Sequence, residues 1–152
     1  MEVIQLQRRY IDYATSLLNE GHFNDVFAQL LRLQDASNPE FVAEVVSIYF
    51  EQSERILNDL SEIMDQQPID FQKADAYIHK LKGSSSSIGA ERIRSACIGF
   101  RGSYEEQNIE ACMRSVVQIK QEYSTVKEKL QNLLRLEQQI VEAGGAVPVL
   151  SD

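Results

Sequence analysis

Three observations predict an all-α fold. Apolar residues recur at helical spacing along most of the chain. No alternating apolar/polar run is bounded by turn signals. The breakers are few: three prolines and seven glycines, grouped mostly between the periodic stretches. Six helical segments with short connections predict an antiparallel four-helix bundle built from the last four, with two additional N-terminal helices packed alongside. At 152 residues, with 43% hydrophobic and 25% charged side chains, the chain has the size and composition of one globular domain. The expected organisation is a single helical domain over residues 1–143 and a flexible tail over 144–152.

The first segment, Glu2 to Leu18, carries Ile4, Tyr10, Ile11, Ala14, Leu17 and Leu18, and Gly21 offers a left-handed stop. A shorter one runs from Phe23 to Leu33. Ser37-Asn38-Pro39-Glu40 supplies a cap residue, a proline and an early acid for the third helix, which continues through Phe41, Val45, Ile48, Tyr49, Ile56, Leu60 and Ile63 to Gln66-Gln67-Pro68. Asp70 caps the fourth, which runs toward Gly89, and the fifth covers about Glu91 to Glu106. Asn108 caps a long sixth helix that stops at Gly144-Gly145.

Charge and residue counts exclude several functions. A net charge of −8 and a pI near 4.8 disfavour nucleic acid and anionic membrane, both of which need a basic face. No apolar run approaches the ~18 residues that span a bilayer, and no signal-peptide pattern opens the chain. Two cysteines are too few for a disulfide scaffold. Cys97 and Cys112 sit in apolar helical patterns and read as buried thiols. With only two histidines and two cysteines, in separate segments, there is no zinc-ligand spacing and no metal site is expected. Lys82-Gly83-Ser84 has the wrong order for a phosphate-binding loop and follows no strand. Gly83 to Gly89 does not match a serine nucleophile elbow. His22, beside Gly21 in a connection, is expected at the surface.

The fourth segment departs from plain scaffold. On a helical wheel Phe71, Ala74, Ile78, Leu81, Ser85 and Ile88 fall on one arc, in phase across Gly83 and the serine run. The helix is therefore expected to continue to Gly89, although mid-helix glycine costs ~0.8–1 kcal/mol against alanine. The alternative, a helix ending at Gly83 with the serines in a loop, ignores that phase. His79 lies about 120° from the core stripe and should face solvent. Asp75, Gly83 and Ser86 share its face, and Lys82 falls between it and the core edge. A lone surface histidine is ordinarily just solvated. Here a neutral imidazole, a competent nucleophile near pH 7, stands beside a cation and a residue without a Cβ. That combination suits carrying a phosphoryl group: Lys82 supplies charge to its oxygens, and Gly83 lets a partner approach.

The run His79-Lys80-Leu81-Lys82-Gly83-Ser84-Ser85-Ser86-Ser87-Ile88-Gly89-Ala90, followed by Cys97 and Phe100-Arg101, resembles the signature of plant histidine-containing phosphotransfer proteins. The resemblance extends to Leu33-Gln34-Asp35 and Asn38-Pro39-Glu40-Phe41-Val42 upstream and to Glu105-Glu106-Gln107-Asn108 downstream. It implies a phosphorelay carrier that takes a phosphoryl group from the receiver aspartate of a hybrid sensor histidine kinase and hands it to the receiver aspartate of a response regulator, in cytokinin signalling. By position, His79 matches the phospho-acceptor, Lys82 the lysine near the phosphate, and Gly83 the glycine that clears space. Ser86, Lys80, Arg101 and Gln34 are the residues expected to meet the partner.

The resemblance further implies a stoichiometric carrier without turnover of its own. It would need no cofactor, since the divalent metal belongs to the partner's receiver domain. It is expected to act as a monomer in cytoplasm and nucleus. Some relatives lack the histidine; this chain retains it. Lys80 stands where glutamine is expected, and Gly99 and Gly102 flank Phe100-Arg101. Lys80, Lys82, Arg92, Arg94 and Arg101 are expected to form one basic patch that steers an acidic partner. Two rivals remain from other classes. A helical adaptor that binds receivers without transfer would not need His79 with Lys82, and a kinase would need nucleotide-binding motifs that are absent.

Overall fold

The computed structural model describes residues 2–150. Six helices follow in order: α1 (Val3–Asn19), α2 (Asp25–Leu33), α3 (Phe41–Met64), α4 (Phe71–Ile88), α5 (Glu91–Glu105) and α6 (Ile109–Glu142). No strand occurs among the described residues; the lone β-bridge joins Asp35 to Asn38. Helices α3 to α6 pack each on the next and α6 returns to α3, which closes the predicted four-helix core. Short turns between long packed helices make them antiparallel. Helix α1 lies along α6, and α2 covers one end against α4 and α3. One apolar core runs through all six, with Tyr10, Phe27, Tyr49, Leu60, Leu81, Ile93, Phe100 and Leu130 among its enclosed side chains.

Side chains at the N-cap position close three of the six helix starts, those of α2, α4 and α6. Asp70 accepts from the Lys73 amide at 3.0 Å and Asn108 from the Ala111 amide at 3.0 Å, as their positions predict. The start of α3 differs. Ser37 does not cap it; Ser37 and Asn38 instead close a turn on the Asp35 carboxylate. The free Val42 amide at the α3 N-terminus donates to Oε1 of Gln34 at 2.8 Å, so the cap comes from a residue eight positions upstream.

That bond relocates Gln34 from the expected partner surface to the interior. Its side chain is buried, and its amide nitrogen donates to Glu137 Oε2 at 3.0 Å. Tyr10 donates its hydroxyl to the same oxygen at 3.1 Å, which ties α1, α3 and α6 together. Burial raises the Glu137 carboxyl above its ordinary value, and the bonds from Gln34 and Tyr10 offset only part of that.

His22 is also buried rather than exposed. The α1–α2 connection docks on the α4–α5 turn: the Asn24 amide donates to Gly89 O and the Glu91 amide to His22 O. This contact encloses the imidazole, and desolvation lowers its pKa, helped by the charge of Arg92. The segment after α6 is anchored where a flexible tail was expected. Gln7 donates to Ala146 O at 2.8 Å, and Val147 and Leu150 pack on the core. Residues 151–152 of that tail lie outside the described residues.

Candidate functional site

Helix α4 runs unbroken through Gly83 and the serines, as its apolar phase predicts. Three of the four serines bond their hydroxyls inside the protein. Ser85, fully buried, pairs with the Tyr49 hydroxyl at 2.8 Å. Ser86 donates to Lys82 O and Ser87 to Ser84 O, both at 2.7 Å, back onto their own helix. The helix stops at Gly89, whose φ of +74° is the left-handed cap.

His79 projects from the middle of α4 into solvent. It borders an open groove of about 410 Å³ between α4 and α5. Asp75, Ile78 and Lys82 form the α4 side; Cys97, Ile98, Arg101, Gly102 and Glu105 form the α5 side. Lys82 is half-buried and has no ion pair among the described residues, so its ammonium is available to an anion in the groove. Its charge reaches Cys97, yet burial dominates and pushes that thiol up to about 12. Cys97 is thus an uncharged part of the groove wall.

Gly83, one turn beyond His79, is exposed, and a Cβ added there would meet nothing within 4 Å. No packing inside this chain calls for glycine at that position. The helix therefore carries a local cost of ~0.8–1 kcal/mol with no intramolecular reason. Gly102 of α5, on the opposite wall of the groove, is equally unobstructed, so the two leave low, bare backbone near the histidine, whereas Gly99, also unobstructed, faces α6.

The remaining candidate residues divide. Arg101 borders the groove, where it donates to Asp75 Oδ2 at 2.8 Å and to Glu105 Oε1 at 3.1 Å. Ser86 is half-buried on the next turn, outside the groove lining, its hydroxyl hydrogen engaged by its own helix. Lys80 lies on the other flank of Gly83, over the Tyr77 ring at 5.0 Å, beside the α3 residues Arg55 and Asp59. The expected five-residue basic patch is not continuous. Arg92 turns away to donate to Glu20 O, and Arg94 pairs with Glu91. Lys82 and Arg101 alone of the five border the histidine groove. Spacing along α5 could have anticipated this, since Arg92 and Arg101 stand nine residues and ~13 Å apart.

Among the described residues no cluster of three His, Cys, Asp or Glu side chains is placed to hold a metal ion, and no helix is long and apolar enough to cross a membrane.

Comparison with known proteins agrees with this geometry. The Hpt domain family matches residues 44–142, which span α3 to α6 and include His79. The chain is 53% identical over 150 residues to histidine-containing phosphotransfer protein 1 of Arabidopsis thaliana, covering 99% of this chain and 97% of that one. Among solved structures, the histidine-containing phosphotransfer protein MtHPt2 from Medicago truncatula superposes with a TM-score of 0.86 at 41% identity, covering 93% of this chain and 96% of that one. The maize protein ZmHP2 follows at 0.82 and 37%, covering 89% and 99%. With a bundle of this architecture, a solvent-facing histidine on its fourth helix and relatives matched over nearly their whole length, the chain belongs to the Hpt domain family of plant histidine-containing phosphotransfer proteins.

Proposed function

We propose that His79 carries a phosphoryl group between receiver domains: it accepts from the phospho-aspartate of a hybrid sensor kinase and donates to the aspartate of a response regulator. The observation that carries this reading is the pairing of an exposed histidine with Gly83, a glycine that nothing inside the molecule requires. A bare helix surface beside a nucleophile is useful only to a partner that must bring its own reactive group close.

In the forward step a ring nitrogen of neutral His79 attacks phosphorus. The N–P bond forms as the P–O bond of the acyl phosphate breaks, and its electron pair stays on the aspartate carboxylate. The other ring nitrogen keeps its hydrogen. Lys82 stabilises charge on the phosphoryl oxygens without exchanging a proton. Arg101, on the opposite wall, offers N–H donors to the same anionic chemistry. The divalent metal belongs to the receiver, and this chain contributes no cofactor. Each molecule carries one phosphoryl group and has no turnover alone. We place it as a monomer in the cytokinin relay, moving between cytoplasm and nucleus.

Incubation with a labelled phospho-receiver tests the reading directly. Wild type takes up acid-labile, base-stable label, and His79→Gln takes up none. Equal labelling of the two proteins would reject it. Label that never passes on to a response-regulator receiver would reduce the protein to an acceptor.

A further inference from the structure

The groove beside His79 holds two cations in different circumstances. Lys82 has no ion pair among the described residues, while Arg101 is held from two sides. The two holds are not equivalent. Glu105 stands four residues further along α5, so its bond at 3.1 Å restrains Arg101 only along its own helix. It is also 65% exposed, the kind of i,i+4 pair that contributes little. Asp75 belongs to α4, four residues and ~6 Å along the axis before His79. Its bond at 2.8 Å draws the guanidinium across the groove. The Asp75 side chain is only 16% exposed and lies in the groove wall.

Arginine has five N–H donors. One bond to each carboxylate leaves three, on a guanidinium fixed in the space that His79 and Lys82 border. We propose that Asp75 is a positioning residue for phosphoryl exchange: it holds Arg101 across the groove so that the remaining donors meet the phosphoryl oxygens in transit. Asp75 touches neither phosphorus nor the imidazole and exchanges no proton. It acts through Arg101, since a carboxylate beside the path would by itself repel the anion. Without it, Arg101 keeps only the tie to Glu105 and moves with that exposed side chain. This inference rests on the reading of His79 as acceptor.

The test is a double-mutant cycle on single-turnover transfer from a labelled phospho-receiver, at saturating receiver, using the full chain. Asp75→Asn is isosteric and removes the charge; folding of every variant is checked by its helical circular dichroism and melting curve. Should Asp75→Asn not fold, Asp75→Ser takes its place. The expected result is about fivefold slower transfer for Asp75→Asn, the upper range for one exposed ion pair. Arg101→Gln should slow transfer at least as much, and the double variant should match Arg101→Gln alone. Transfer by Asp75→Asn at or above the wild-type rate overturns the proposal. So does an equal slowing in the Arg101→Gln background, which would mean that Asp75 does not work through Arg101. His79→Gln, run alongside, separates the two failures: label on that variant rejects the acceptor reading, whereas a failed cycle with an unlabelled His79→Gln rejects the role of Asp75 alone.

Discussion

Helix α4 contains two glycine-bearing stretches that look alike in sequence and exist for opposite reasons. At its C-terminal end, Gly89 is demanded by the molecule itself. Its φ of +74° is left-handed, and a Cβ there would lie 2.5 Å from Asn24 Oδ1 and 2.6 Å from the Phe27 amide nitrogen. Ser85, on the same stretch, is locked to Tyr49. In the middle of the helix, Gly83 has ordinary helical geometry and open space around it. One glycine lets the bundle close; the other leaves room for something the bundle does not contain. The difference teaches that a locally unfavourable residue marks function only after its packing role has been checked and found empty.

The largest effect expected from this contrast is a split between stability and transfer. Gly83→Gln should fold at least as well as wild type, gaining up to ~1 kcal/mol of helix propensity, yet lose phosphoryl transfer. Urea unfolding and receiver labelling on one preparation check both, and normal transfer by a folded variant would erase the distinction between the two glycines. Gly89→Ala should do the reverse. It forces a Cβ into a left-handed position and against Asn24 and Phe27, which costs about 2–4 kcal/mol in chemical denaturation. Transfer per folded molecule should persist.

Tyr49→Phe sharpens the same comparison at the serine run. It strips the buried Ser85 hydroxyl of its side-chain partner and should lower stability by about 1–3 kcal/mol. Removal of the Ser87 hydroxyl, at the exposed side of the helix, should change little.

The smallest effect concerns the buried polar cluster far from the groove. The Glu137 carboxyl is raised in the fold, chiefly by burial, from an ordinary 4.5. Its contribution to stability is therefore complete below about that pH and is lost as pH rises through the raised folded value. Glu137→Gln keeps an acceptor for Tyr10 and Gln34 without the charge, so its stability relative to wild type should increase from pH 4 to pH 7. Parallel melting curves for the two proteins across that range would contradict this account.

Much of this protein was legible as one-dimensional pattern. The phase of Ile78, Leu81, Ser85 and Ile88 carried α4 through residues that disfavour helices, and the same phase turned His79 outward. Asp70 and Asn108 were readable as caps because their bonds reach only three residues ahead. Ser37 misled because a competing turn on Asp35 is equally local, and the true cap, Gln34, arrives from outside the usual window. His22 misled because its neighbours along the chain are connection residues, while the surface that buries it belongs to the α4–α5 turn.

The amino-acid sequence by itself determined the helical class, the limits of α4 and α6 and the outward face of His79, since each depends on periods and caps spanning a few residues. Only the tertiary structure decided which cations stand at that histidine. Arg92 and Arg94 fall away, Lys80 goes to the far flank of Gly83, and Arg101 is drawn in by a carboxylate twenty-six residues earlier. The physical reason is range: helical phase is set within one or two turns, whereas the pairing of charges across a groove depends on where whole helices come to rest.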